Sequence, residues 1–110
     1  MTGTGPQAHV VEFADRPLEP EAEGIASRAV GVNGVRWALV EYEPATLREE
    51  WCREGHSGYV VEGDITYEFD DGAPPIRATA GQAFRLPEGQ GHRGRSGAAG
   101  ARLFLIDRAL

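Results

Sequence analysis

The sequence contains no lysine, a single cysteine and no long apolar run. Because one cysteine cannot form a disulfide within the chain, Cys52 is a small buried side chain, a metal ligand or a reactive thiol. A membrane-spanning helix needs roughly 20 apolar residues in a row, so we expect no membrane partner. Residues 1–6 carry neither basic residues nor an apolar stretch, which predicts no signal peptide and makes a cytoplasmic protein the default expectation.

The distribution of charge predicts that nucleic acid is not a partner. The eleven arginines are scattered along the chain, and the formal net charge at pH 7 is −6. A protein that binds phosphate groups needs a basic stripe or patch, which this composition does not supply. Four acidic residues lie between residues 14 and 24, a stretch that also holds two prolines and is typical of a solvated loop.

The length of 110 residues suffices for one modest hydrophobic core and is too short for two. Apolar residues form 41% of the chain and charged residues 25%, which is typical of a folded soluble domain and not of a disordered chain. We expect a single domain over residues 9–110. Residues 1–8 show no periodic pattern and are predicted to be a flexible tail.

Alternating apolar and polar residues begin at Ile25 and indicate β-strands. A strand over Ile25–Val32 is followed by Asn33-Gly34, the pair that favours a two-residue hairpin turn. The chain is then predicted to return as a strand over residues 35–43. Its two faces are expected to carry Trp37, Leu39 and Glu41 on one side and Ala38, Val40 and Tyr42 on the other.

Further strands are predicted at short intervals, with turns at Gly63-Asp64 and at residues 70–72 and a flexible loop over residues 94–100. The segments are residues 10–13, 46–53, 59–62, 65–69, 76–80, 83–86 and 102–107, the last as an apolar strand buried on both faces. About nine short strands without a long helix predict an all-β sandwich or barrel.

Four side chains that can bind a metal ion lie in two stretches of the sequence. Glu50, Cys52 and His56 fall within seven residues, and His92 lies in the second stretch. If residues 46–53 form a strand, side chains 50 and 52 point to the same face. Carboxylate, thiolate and imidazole all bind first-row metals, and the thiolate favours zinc or iron over magnesium, calcium or manganese. We therefore expect these four side chains to converge on one site.

Both stretches resemble the two sequence motifs of the cupin superfamily, over residues 44–96 in total. The positions of the second motif are Gly81, Pro87, Gly89 and His92, with Ser96 in the place of an asparagine. The positions of the first motif are Glu50 and Cys52 in the places of its two histidines, His56 in the place of its acid, and Gly63. Pro44 stands where the first motif opens with a glycine.

The resemblance implies an all-β, cupin-type jelly-roll β-barrel, also called a double-stranded β-helix. It implies a divalent-metal site inside the barrel, at the positions of Glu50, Cys52, His56 and His92. It also implies a homodimer, for which residues 10–13 and 102–107 are the candidate contacts. The aromatic residues expected to wall a substrate pocket are Tyr59, Tyr67, Phe84 and Trp37, although aromatic residues at alternating positions are also typical of a core.

Two functions from different classes remain open at this point. One is a metalloenzyme, such as a dioxygenase, isomerase or lyase, that acts on a small organic molecule with Glu50 as metal ligand or general base. The other is a non-catalytic, metal-free cupin that binds a small molecule and acts as a sensor. A thiol sensor at Cys52 is a third reading, and the plainest is a packed cysteine beside a hydrogen bond from His56 to Glu50.

Overall fold

The computed structural model describes residues 7–107, and all regular structure in this range is β-strand. The strands are β1 (Glu19–Ala22), β2 (Ile25–Val32), β3 (Val35–Tyr42), β4 (His56–Phe69), β5 (Ile76–Thr79), β6 (Ala83–Leu86) and β7 (His92–Asp107). No helix among the described residues is long and apolar enough to cross a membrane. The predicted all-β class is therefore confirmed.

All strand pairs are antiparallel and follow the order β1-β2-β3-β7-β4-β5, with β6 paired to β4. Strands β4 and β7 contain 14 and 16 residues and pair with each other along most of their length. Bulges in β4 between residues 60 and 65 shift the register of this pair. Bulges bend a strand, so the paired strands β4 and β7 curve together at this point.

The hydrophobic core is formed by buried side chains from strands β2 to β7. Its largest fully buried side chains are Val60, Ile65, Leu86 and Leu103. They come from β4, β6 and β7, and two of these strands, β4 and β7, also carry the histidines of the predicted site. The core therefore fixes the backbone on which those histidines stand.

Several local predictions are confirmed. Asn33 and Gly34 have φ values of 51° and 78°, as a two-residue hairpin between β2 and β3 requires. The face of β3 that carries Ala38, Val40 and Tyr42 is buried. In β6, Phe84 and Leu86 point inwards, and residues 70–72 form the predicted turn.

Near the N-terminal end of the described chain, two predictions are wrong. Residues 10–13 form no strand, although the ring of Phe13 packs edge-on against Phe104 at 6.2 Å. The predicted acidic loop contains β1, all four residues of which are exposed. Backbone pairing to β2 forms this strand, so no hydrophobic pattern marks it in the sequence.

The predicted turn at Gly63-Asp64 and the predicted loop at residues 94–100 are also wrong, because both segments lie inside long strands. Gly63 adopts a φ of 76°, which glycine allows without strain and which fits the bulge. The separate segments therefore fuse into β4 and β7, and the described chain has seven strands where about nine were predicted.

Residues 102–107 are a strand, as predicted, but they are neither an edge nor buried on both faces. In β7, Arg102 is exposed while Leu103 and Leu105 are buried. This part of β7 pairs with β3 on one side and β4 on the other. The segment offers no free edge to a second copy of the chain, and the dimer contacts predicted at residues 102–107 and 10–13 remain predictions.

The segment from residue 43 to residue 55 runs beside β7 without forming the predicted strand over residues 46–53. The backbone N–H of Arg48 donates to the carbonyl of Gly94 at 3.0 Å. Cys52 and His92 then exchange two backbone hydrogen bonds, at 2.8 and 2.9 Å. Between these two contacts the chain has three residues, 49–51, whereas β7 has only Arg93. Residues 49–51 therefore bulge away from β7.

The described residues share one core, and the predicted domain limits stay a prediction. Residues 1–6 of the predicted tail and residues 108–110 of the predicted domain lie outside the described residues. The predicted homodimer stays a prediction as well.

Candidate functional site

Three of the four predicted metal-binding residues come together. One donor atom each from Cys52, His56 and His92 lies within 4.8 Å of the others, and no further group of this kind occurs among residues 7–107. His92 is buried, and the other two are partly buried. The rings of His56 and His92 meet edge-on with centroids 5.0 Å apart.

The backbone explains why these three side chains converge. Cys52 and His92 sit directly opposite each other in a hydrogen-bonded antiparallel pair, which places both side chains on the same face. His92 opens β7, and His56 opens β4, where it lies opposite Asp107 at the far end of β7. The curvature of the paired strands thus brings both ends of β7 to one site.

Glu50 does not join the site. It is exposed, lies outside the group of converging donors and does not line the cavity beside them. The prediction assumed a regular strand, in which residues 50 and 52 share a face. The bulge over residues 49–51 breaks that alternation. Trp51, in the same bulge, is 39% exposed and lies under the guanidinium of Arg93 at 4.2 Å.

His56 is held between a thiol and a carboxylate. Its Nε2 lies 3.4 Å from Sγ of Cys52, and its Nδ1 lies 2.5 Å from Oδ1 of Asp107. The other carboxylate oxygen of Asp107 accepts a hydrogen bond from Nη1 of Arg36 at 2.8 Å. The imidazole is therefore fixed in orientation through both of its nitrogens.

These contacts shift the proton affinities of the three groups in a consistent way. Hydrogen bonds from His56 and then His92 lower the pKa of Cys52 to about 6, in spite of burial. Burial lowers the pKa of His56, but the hydrogen bonds to Asp107 and Cys52 outweigh it and raise the pKa to about 9. Burial raises the pKa of Asp107, and its contacts with His56 and Arg36 bring it below the ordinary value. Without a metal ion, Cys52 and His56 form a thiolate–imidazolium pair near neutral pH.

A cavity of about 500 Å³ opens beside the three donors. Tyr42, Tyr67 and Leu105 form part of its apolar wall, and Glu21, Arg36 and Arg48 supply charged groups. Of the four aromatic residues predicted to wall a pocket, only Tyr67 lines this cavity. Phe84 is buried behind Tyr67 with ring centroids 5.0 Å apart, Tyr59 is 45% exposed, and Trp37 stacks edge-on against Phe104 on the outer face of the sheet.

Sequence reasoning missed the charged residues of this cavity. Asp107, Arg36 and Glu21 are joined by contacts across 15 to 71 residues of sequence, so no local spacing reveals them. The sequence offered one indication of Asp107, because an acidic residue at the end of an otherwise apolar strand is unusual. Cys52 and His92 were easier to find because each belongs to a motif with a fixed spacing.

Comparison with solved structures identifies the architecture. An RmlC-like cupin from Shewanella frigidimarina superposes with a TM-score of 0.76 at 19% sequence identity, over 94% of this chain and 93% of that one. This chain has the cupin fold. Bacillus subtilis oxalate decarboxylase, a protein with Mn(II) centres, matches with a TM-score of 0.77 at 21% identity over 96% of this chain. This chain spans 30% of the length of that enzyme.

At this level of identity the likeness concerns the fold alone. No protein-family model and no curated protein sequence matches the chain. The predicted resemblance to cupins is confirmed in the architecture. Within the stretch that resembles the second cupin motif, Gly81 and Gly89 both adopt a φ of 92°, a backbone conformation that favours glycine.

The geometry of Cys52, His56 and His92 fits a divalent metal ion. A sulfur and a nitrogen bound to one tetrahedral zinc ion lie about 3.6 Å apart, close to the 3.4 Å between Cys52 and His56. Nδ1 of His92 is buried without a hydrogen-bond partner among the described residues. Such an orphaned polar atom is costly, which indicates that the ring is held for an interaction with a group that the protein itself does not provide.

The protonation of Cys52 can be measured directly. In protein freed of metal with a chelator, we expect the rate of alkylation by iodoacetamide to reach half its plateau near pH 6. The thiolate is the reactive form. Because the pKa of Cys52 is lowered to about 6, the alkylation rate should stay high as the pH falls and should drop only below about pH 6. In His56→Gln the midpoint should rise towards the ordinary thiol value of about 8.5. A midpoint that His56→Gln leaves in place would contradict this account.

Proposed function

We propose that this cupin binds a first-row divalent metal ion, zinc or iron, through Cys52, His56 and His92, and that it binds or transforms a small organic molecule in the adjoining cavity. The three donors supply one sulfur and two nitrogens. Three protein ligands leave a coordination position open, which is the arrangement of catalytic and not of structural zinc sites.

The observation that carries this proposal is the pair of contacts made by His56. One nitrogen faces the thiol of Cys52, and the other is bound to the carboxylate of Asp107. Histidines that bind metals commonly direct their second nitrogen to a carboxylate, which fixes the ring and raises its basicity. In the metal-bound state the ion would take the place of the proton shared between Cys52 and His56.

The donor set distinguishes this site from a manganese site. Manganese prefers carboxylate, carbonyl and water oxygens, whereas thiolate favours zinc or iron. Oxalate decarboxylase, a protein with Mn(II) centres, therefore supports the fold of this chain and not the choice of its metal. Cys52 is the residue that makes the difference.

The cavity supports binding of a small organic molecule. Its volume of about 500 Å³ lies within the range of small-molecule sites. A bound metal would supply a Lewis acid for isomerase or lyase chemistry, and iron would supply an open position for oxygen in dioxygenase chemistry. Glu50, the predicted general base, does not line this cavity. Glu54 lines the cavity instead, and its backbone N–H donates to the thiol of Cys52.

Elemental analysis of protein purified without an affinity tag tests the proposal. We expect about one zinc or iron ion per chain, or uptake of one ion on addition of zinc to chelator-treated protein, since the three donors form a single site. The ion should also raise the unfolding temperature, because it binds the folded state. Trace metal, with no uptake from zinc or from iron(II) without oxygen, would refute the metal site.

One observation favours the alternative of a metal-free binding or sensor cupin. Cys52, His56 and Asp107 satisfy one another as a charged chain with no ion present. For that function we expect no metal uptake but a rise in unfolding temperature with a small metabolite. The cytoplasmic location and the homodimer remain predictions for either function.

A further inference from the structure

Two arginines of the cavity converge on a single carboxylate of the protein. Nη2 of Arg36 lies 3.1 Å from Oε2 of Glu21, and Nη2 of Arg48 lies 2.5 Å from Oε1. Each oxygen thus has its own guanidinium. Planar guanidinium groups in this arrangement recognise a carboxylate by shape as well as by charge.

Arg36 is held in place by the sheet without help from Glu21. Its Nη1 donates to Asp107 at 2.8 Å, and its Nη2 donates to Ser27 at 3.3 Å. The backbone of Arg48 is fixed by donation from its N–H to the carbonyl of Gly94 at 3.0 Å, and its side chain lines the cavity together with Tyr42. Arg36 is therefore preorganised to bind an anion whether or not Glu21 is present, and Arg48 stands beside it on an anchored backbone.

Glu21 stands on β1, a short strand at the edge of the sheet. Strand β1 has four residues, lies at the edge of the sheet and pairs only with β2, through a register that a bulge interrupts. The Glu21 side chain nevertheless points inwards and is 22% exposed. No residue of β1 belongs to the hydrophobic core, so moving this side chain out of the cavity removes no apolar packing.

We propose that Arg36 and Arg48 form a carboxylate subsite of the cavity, and that Glu21 occupies this subsite as an internal competitor until a ligand carboxylate replaces it. The inference rests on the proposed function, since it names the ligand class of the same cavity. The ligand is accordingly a small organic acid whose carboxylate binds the arginine pair while the rest of the molecule reaches towards Cys52 and His92.

Glu21→Gln tests the subsite with malonate as the probe and malonamide as its neutral match. The substitution keeps the size of the side chain and removes the competing charge. We expect malonate to bind roughly tenfold more tightly than to the wild type by titration calorimetry, with malonamide unchanged. Adding Arg48→Gln to the variant should abolish the gain. Circular dichroism checks the fold, and Glu21→Ala serves as a second variant.

Glu19→Gln is the matched control. Glu19 lies two residues away on the same strand and lines the same cavity, but it forms none of the salt bridges recorded among the described residues. A gain of equal size in Glu19→Gln, an equal gain for malonamide, or no gain in Glu21→Gln would each overturn the subsite.

The titrations are made on both chelator-treated and zinc-loaded protein, which separates the two proposals. Tighter binding to Glu21→Gln without metal supports the arginine subsite whether or not zinc binds elsewhere in the cavity. Binding that requires zinc and is equal in all variants overturns the subsite and leaves the metal site intact. Failure to take up zinc, with the gain in Glu21→Gln preserved, refutes the metal site and leaves the subsite.

Discussion

Replacing Cys52 with serine is expected to lower the affinity for zinc on the order of 100-fold. Zinc binding by four ligands in small domains is worth about 10–16 kcal/mol, so one ligand accounts for about 3 kcal/mol. Serine preserves the size of the side chain but offers a hydroxyl, which does not ionise near neutral pH and is a poor zinc ligand. Titration with a competing chelator measures the change.

The control for this substitution is His9→Ala, which removes an exposed histidine that hydrogen-bonds locally to Gln7. We expect its zinc affinity to equal that of the wild type. If Cys52 is only a packing residue, Cys52→Ser should cost about 1 kcal/mol of stability and leave metal uptake unchanged. That outcome would favour the metal-free alternative.

The part of the site that follows fixed spacings could be predicted from the sequence. Cys52, His56 and His92 stand in or beside the two motifs, and the structure brings them together. Glu50 was misplaced because a bulge of residues 49–51 cannot be seen without the backbone partner on β7. Asp107 was missed because it meets His56 only through a pairing across 51 residues.

The ion pairs that Arg36 forms in the cavity with Glu21 and Asp107 could not be predicted from the sequence, for a different reason. The alternation of β3 places Arg36 on the same inward face as Val40 and Tyr42, but it does not reveal the partners of this arginine. Asp107 and Glu21 approach Arg36 from β7 and β1, which are distant in sequence. An acidic stretch is most often a solvated surface, and nothing in residues 14–24 separates Glu21 from its neighbours.

Residues that favour a turn predicted the fold correctly where no distant strand pairs with them. They gave a wrong prediction where the segment pairs with a distant strand. Asn33-Gly34 made the predicted hairpin because both residues favour a positive φ. Gly63 carries the same local signal, yet it makes a bulge inside β4. Because β4 pairs with β7 on both sides of the bulge, the strand continues through Gly63 and does not end in a turn.

Replacing Gly63 with alanine is therefore expected to destabilise the protein by about 3–5 kcal/mol. The φ of 76° strains any residue with a Cβ atom, and an ideal Cβ at this position would lie 2.0 Å from the carbonyl oxygen of Gly100. That oxygen belongs to the backbone of β7, which cannot move without disturbing its pairing to β4. Since small domains are stable by only about 5–15 kcal/mol, the variant should lose much of its stability.

Gly72→Ala provides the matched control, because Gly72 has a φ of 85° and an added Cβ would meet nothing within 4 Å. It carries the conformational strain without the clash, so we expect a loss of about 1 kcal/mol. Urea unfolding of the wild type and both variants measures the difference. Equal losses at the two positions would show that β7 yields at Gly100, and that the bulge does not lock the two long strands that carry His56 and His92.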